Sequence, residues 1–286
     1  MIGLKSYLLL MISVLFFITF MTLSTTSMNF LFSNIVHLDR STSAIPGWKN
    51  IDIFYGTREK FPNYISQANQ TEAVLSMLNR KKNGFFVDLA ANDAFFLSNS
   101  FYLEEMYDWS GLCIEANPLY WSSLSKRKCK VVGAAVGKKN MEEVRFRIDN
   151  EAFGGLIGEE FDNKVTRLKK KRIQRQVIAT MFTVRLDDIF LKFDVPHVID
   201  YMSLDVEGAE ELILTDFPFR KYRFTIISIE RPSDKLKAIL YENSYEFVRQ
   251  ITSWGETFWI HRDERKNLNM SYFTDHYQNN YTRYEI

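Results

Sequence analysis

The chain has few of the residues that build disulfide-dense, collagen-like or low-complexity proteins: 2 cysteines, 6 prolines and 12 glycines in 286 residues. Two cysteines, Cys113 and Cys129, cannot make a disulfide-dense scaffold or a four-cysteine zinc site. An excess of one charge is also lacking, since 36 Lys+Arg face 35 Asp+Glu. A general nucleic-acid binder carries a strong basic excess, so no nucleic-acid partner is expected. Histidine is scarce, at 4 residues. No Ser-His-Asp order and no metal-type His/Cys spacing is present, so hydrolase and zinc readings fall away. What the chain has in quantity is apolar and aromatic: 46% hydrophobic, with 24 Phe, 14 Tyr and 5 Trp. That suits a folded chain with a substantial core.

The N-terminal region is charge-free from Lys5 to Asp39, and Tyr7 to Leu23 is apolar except for Ser13, Thr19 and Thr22. As a helix this run spans about 26 Å, near the roughly 27 Å hydrocarbon core of the endoplasmic reticulum. Two readings stand for residues 1–34. A signal anchor suits the length and bulk of the run. A cleaved signal peptide would use the small residues Ser24 to Ser27. Lys5 keeps the N-terminus cytoplasmic, which puts the rest of the chain in the secretory lumen of the endoplasmic reticulum or Golgi. It would be secreted if the run is cleaved. Sequons at Asn69, Asn269 and Asn280 agree with that topology. In such a compartment Cys113 and Cys129 could be bridged or be buried thiols; their spacing leaves both open.

Residues 35–70 read as a stem, 71–262 as a folded α/β domain, and 263–286 as a polar tail. Helices are expected over 71–81, 99–108, 187–193 and 233–242. Core strands are expected at Phe85–Leu89, Gly111–Glu115, Lys130–Val136, Tyr201–Asp205 and Phe224–Glu230. Strands alternating with helices at this spacing signal a parallel sheet. Phe247–Ser253 and Thr257–His261 read as a closing antiparallel hairpin. Val144–Ile148 reads as a strand with one wet face, and the basic run Lys164–Arg175 as a solvated loop or exposed helix.

Ligands of an open parallel sheet bind beyond the carboxyl ends of its strands. Acids gather there: Asp88, Asn92 and Asp93 after the first strand, Glu115 and Asn117 after the second, Asp205 and Glu207 after the fourth, Glu230 at the fifth. An acid ending the second strand can take both hydroxyls of a ribose. The phosphate-cradling Gly-x-Gly-x-x-Gly loop is absent; Ala90-Ala91-Asn92-Asp93-Ala94 stands there instead. That disfavours a dinucleotide or ATP and suits a phosphate-free cation such as S-adenosylmethionine. Asp205, Glu207 and Glu230 could hold Mg²⁺ through oxygen, yet strand-end acids need no metal, and none is assigned.

Three stretches resemble the FkbM-type methyltransferases: Val87 to Asp93 followed by Leu97-Ser98-Asn99-Ser100, then Gly111 to Pro118, then Tyr201 to Glu210 with its Asp-Val-Glu-Gly-Ala-Glu core. Their order and spacing match over about residues 70–262. The resemblance implies a class I methyltransferase fold, a Rossmann-like, mostly parallel seven-stranded sheet with helices on both faces and a final antiparallel strand. It implies S-adenosylmethionine as cofactor and methyl transfer to a hydroxyl of a glycan or other small acceptor. Asp88, Ala90, Asn92, Asp93 and Asn99 would form the cofactor loop, Glu115 would hold the ribose, and Asn117 would lie near the adenine. Asp205, then Glu207, would be the catalytic base. Ala90 and Ala94 depart from the commoner glycines of the family, whose missing Cβ permits close approach or positive φ. A catalytically inactive domain serving as a binding or trafficking partner is therefore the alternative.

Overall fold

The computed structural model describes residues 52–55, 65–149, 151–164 and 177–276. The apolar run Tyr7–Leu23, most of the stem, the basic run after Lys164 and the Asn280 sequon lie outside them. Among the described residues no helix is long and apolar enough to cross a membrane.

In chain order the strands are β1 (Asp52–Tyr55), β2 (Ile65–Ser66), β3 (Phe85–Leu89), β4 (Phe96–Leu97), β5 (Ser110–Ile114), β6 (Lys130–Gly133) and β7 (Ala135–Val136). They continue with β8 (Glu143–Arg147), β9 (Gly155–Leu156), β10 (Ile178–Val184), β11 (Val198–Leu204), β12 (Arg223–Glu230), β13 (Tyr245–Gln250) and β14 (Glu256–His261). The main sheet has eight strands in the order β1-β6-β5-β3-β11-β12-β14-β13. Its centre, β6 to β12, is parallel. β1 closes one edge antiparallel to β6, and the β13–β14 hairpin closes the other antiparallel to β12. Four short strands, β7-β10-β8-β9, form a second sheet.

The central strands are apolar on both faces because both are covered; Phe86, Val87, Leu112, Ile226 and Ile227 are fully buried. Chain order reverses between β3 and β11. Crossovers of parallel strands are right-handed, so the two directions of travel place their connections on opposite faces and open a crevice at that switch point. The aromatic surplus lies largely in the core. Phe190, on the helix Leu186–Lys192, meets Phe217 and Tyr222 edge-on at 5.7 and 5.1 Å, and Phe217 stacks on Phe224 at 5.4 Å. Trp259, Phe258 and Tyr245 are buried in the closing hairpin.

Several expectations change. The sheet has an eighth strand, β1, inside the segment read as stem. Four residues, too few to stand out as a core strand, become a strand because the edge of β6 offers partners. Residues 130–136, read as one strand, break at Ala134 and pass from the main sheet to the small one. The polar tail is partly folded: Leu268, Tyr272 and Phe273 are buried, the Asn269 N–H donates to Met77 O at 2.8 Å, and Ser271–His276 is helical. Those three buried residues are spread among too many polar ones to stand out in the sequence. Cys113 and Cys129, left open above, form a disulfide with Cα atoms 6.1 Å apart, an ordinary separation for a bridge. It ties β5 to the approach to β6.

Candidate active site

A cavity of about 980 Å³ opens at the carboxyl ends of the parallel strands, a size that holds a nucleoside-sized ligand and more. All nine residues singled out above line it: Asp88, Ala90, Asn92, Asp93, Asn99, Glu115, Asn117, Asp205 and Glu207. Their side chains are held in two different ways.

Under β3 and β5 the polar atoms are engaged. Glu115 is buried, and its two carboxylate oxygens accept the Asn92 N–H at 2.8 Å and the Asn117 N–H at 2.6 Å. Burial lifts its pKa to about 7 against the pull of those donors. Asn92 Oδ1 accepts the Asp93 N–H at 2.8 Å. Asp93 in turn closes the loop: Oδ1 accepts the N–H groups of Phe95 and Phe96 at 2.9 and 2.8 Å, and Oδ2 accepts the Ser123 hydroxyl at 3.2 Å. Asn117 donates to Ile148 O at 3.0 Å and accepts the Leu119 N–H at 3.1 Å. Asn99 donates to Ser203 Oγ at 3.2 Å. Asp88 lies beneath the loop and accepts the Ser100 hydroxyl. Burial raises its pKa, while Ser100 and Arg127 draw it back.

A residue the sequence reading missed supports this region from behind. Arg127 is buried and donates to Ser98 Oγ and Ser100 Oγ, both at 3.1 Å, and pairs with buried Glu104 at 3.3 Å. It stands in Lys126-Arg127-Lys128, a triplet that reads like any solvated basic run; no signal marks its middle member as core.

Ala90 resolves one question posed by the sequence. Its φ is +65°, whereas Ala94 is not among the positive-φ residues. The left-handed conformation that a glycine would take freely is taken here by alanine, at a cost in backbone strain.

Under β11 and β12 the acids oppose one another. The motif 205–210 makes a tight turn with Glu207 at φ +56° and Gly208 at φ +97°. A Cβ on Gly208 would come 3.1 Å from Asp162 N and 3.2 Å from Phe161 Cα, so glycine answers both the backbone angle and the close approach. Glu210 Oε1 accepts the N–H groups of Val206 and Gly208 at 3.0 and 3.3 Å, which makes Glu210 a clamp on the turn. Asp205 Oδ1 is buried without a hydrogen-bond partner among the described residues. Burial, and after it the Glu230 charge, push the Asp205 pKa well above the usual range. Glu207 rises to about 8 from burial and Glu230, with Arg231 pulling the other way. Glu256, placed in the hairpin turn by sequence, is instead a buried acid on β14, directly opposite Glu230. The sequence reading also missed Asp162 and Arg231. Arg231 Nη2 reaches Asp162 at 2.6 Å, Glu230 at 2.5 Å and Glu207 at 3.5 Å. His261 lies at the far end of β14, with its ring edge-on to Tyr245 at 5.2 Å, away from the cavity because β14 runs antiparallel.

A mostly parallel sheet closed by an antiparallel hairpin, with acids ringing a cavity at its carboxyl edge, defines an α/β domain of the methyltransferase type. The family model described as methyltransferase FkbM domain matches residues 88–256, more than half of the chain. The chain belongs to the FkbM methyltransferase family. No curated protein sequence matches it. Among solved structures it is similar to the precorrin-6y C5,15-methyltransferase of Geobacter metallireducens GS-15, at 14% identity over 72% of this chain and 91% of that one, with a TM-score of 0.35.

Proposed function

We propose that the chain is an S-adenosylmethionine-dependent O-methyltransferase acting on a hydroxyl of a glycan or other small acceptor in the secretory lumen. The observation that carries this reading is Asp205, whose buried, unpartnered Oδ1 stands on the same cavity as the engaged loop under β3 and β5. The residues fit the cofactor's chemistry. Each Glu115 oxygen accepts one backbone N–H and keeps capacity for a ribose hydroxyl. The Ala90–Asp93 loop, Asn99 and Asn117 border the same space. The surplus of carboxylates favours a cationic, phosphate-free ligand. S-adenosylmethionine supplies a methyl group on a positively charged sulfur. Asp205 is suited to accept the hydroxyl proton of the acceptor: burial and its acidic neighbours raise its proton affinity, and an added cation lowers it again. Positioning of the acceptor in the cavity contributes to the rate alongside that base.

A second reading, a methyltransferase-like domain that binds a partner without transferring a methyl group, draws on the Ala90 methyl at the cavity wall. Calorimetric titration of S-adenosylmethionine into the full chain separates the two. Saturable binding that Glu115→Ala abolishes supports the enzyme; no binding up to millimolar cofactor by folded protein overturns it.

The lumenal, membrane-anchored placement rests on the apolar run near the N-terminus, the Cys113–Cys129 disulfide, and the exposure of the sequon residues Asn69 and Asn269. A glycosidase-sensitive mobility shift and protease protection in intact microsomes are expected. A fully reduced, unglycosylated and protease-accessible chain would overturn that placement.

A further inference from the structure

The cavity beyond the proposed cofactor space has a chemistry of its own. The carboxylate oxygens of Asp162, Glu207 and Glu230 lie within 4.8 Å of one another. A single guanidinium nitrogen, Arg231 Nη2, serves all three. Three acids thus share one base, and the unpartnered Oδ1 of Asp205 adds a fourth acid on the same cavity. Trp254 lines that cavity too and is 48% exposed, in contrast to the buried Trp259, Phe258 and Tyr245 of the same hairpin. The Arg231 N–H donates to Gly255 O at 2.9 Å, so the indole and the guanidinium are carried by two turns joined to each other.

An open indole offers an apolar face to the C–H face of a ring. Carboxylates accept hydrogen bonds and donate none when ionised, so they match hydroxyl donors. Where ionised they also repel a phosphate, sulfate or carboxylate brought beside them, and because Glu207 holds its proton to about pH 8 that repulsion grows as pH rises through this value. Resting on the methyl-transfer reading above, we propose that Trp254 and the Asp162–Glu207–Glu230 group form the acceptor subsite. It takes an uncharged polyhydroxylated ring and turns away acceptors with an anionic group beside the reacting hydroxyl.

The test uses the full chain in detergent, with S-adenosylmethionine binding measured first. Methyl glucoside, galactoside and mannoside are then assayed, each beside its 6-phosphate, 6-sulfate and uronic-acid counterpart. Methylation of at least one neutral sugar is expected, with kcat/KM for its anionic counterparts lower by about ten-fold or more. Glu230→Gln should narrow that gap. Trp254→Ala should raise KM for the neutral sugar about ten-fold and leave kcat nearly unchanged. Equal use of neutral and anionic sugars, or cofactor binding with no sugar methylated, would overturn the subsite. Loss of cofactor binding itself would overturn the methyl-transfer reading instead, so the two failures are distinct.

Discussion

The two halves of the cavity hold similar numbers of acids in opposite states. Under β3 and β5, Glu115 and Asp93 are each tied by backbone N–H groups, and Asp88 by a hydroxyl backed by Arg127. Under β11 and β12, burial and the Glu230 charge raise the proton affinity of Asp205 and Glu207, and Glu207, Glu230 and Asp162 share Arg231. The first half is organised without any ligand. The second crowds acids whose ionisation burial and mutual repulsion oppose, and a bound cation would favour their charged forms. A buried acid with its donors supplied is a structural element, whereas a buried acid without them is a reactive one.

The largest expected effect breaks the reactive half. Asp205→Asn should lower methyl transfer by roughly 10²–10⁴-fold while leaving cofactor titration saturable; unchanged turnover would remove Asp205 as the base. Next, Cys113→Ser with Cys129→Ser should cost about 3 kcal/mol in urea unfolding, the value for a loop of this length. A change within error would mean that β5 and β6 do not need their tie.

The sharpest contrast is between two conservative amides. Glu115→Gln puts an N–H group against a backbone donor and should destabilise the fold by about 1–3 kcal/mol. Glu207→Gln removes a charge from a repelling cluster and should raise the unfolding midpoint at alkaline pH. If the two move stability in the same direction, the contrast between the halves fails.

The pH dependence follows from the same acids. Glu115, Glu210 and Glu256 rise from 4.5 to about 7, and Glu207 to about 8. The folded chain therefore holds more protons than the unfolded one across that window, and stability falls as pH rises through it. Thermal unfolding should show a higher midpoint at mildly acidic pH than at pH above these values, with added S-adenosylmethionine narrowing the gap. The smallest effect is at Ala90. Ala90→Gly relieves about 1–2 kcal/mol of left-handed strain and gives back about 0.5–1 kcal/mol in chain entropy, so a gain of about 0.5 kcal/mol is expected in urea unfolding.

Legibility in the sequence followed burial. β3, β5, β11 and β12 were readable because a strand covered on both faces is a largely apolar run, here closed by an acid at or next to its end. That pattern also exposed Asp88, Glu115, Asp205 and Glu207. The acids' states were not readable. Asp93 looks like a ligand-facing acid in a motif, yet its oxygens, like one of Glu210, close the local turn. Arg127 and Arg231 look like surface cations, yet one is core and the other bridges segments 69 residues apart. The aromatics of the hairpin read alike; the fold buries three and leaves Trp254 open.

By itself the sequence determined the parallel core, the position of its strand-end acids and the lack of a phosphate loop, since hydrophobic runs and turn residues act locally along the chain. Only the tertiary structure decided which acids are satisfied, where β1 and residues 268–273 attach, that Cys113 bonds Cys129, and that Arg231 serves three carboxylates. These depend on which partners long-range packing brings within hydrogen-bond reach.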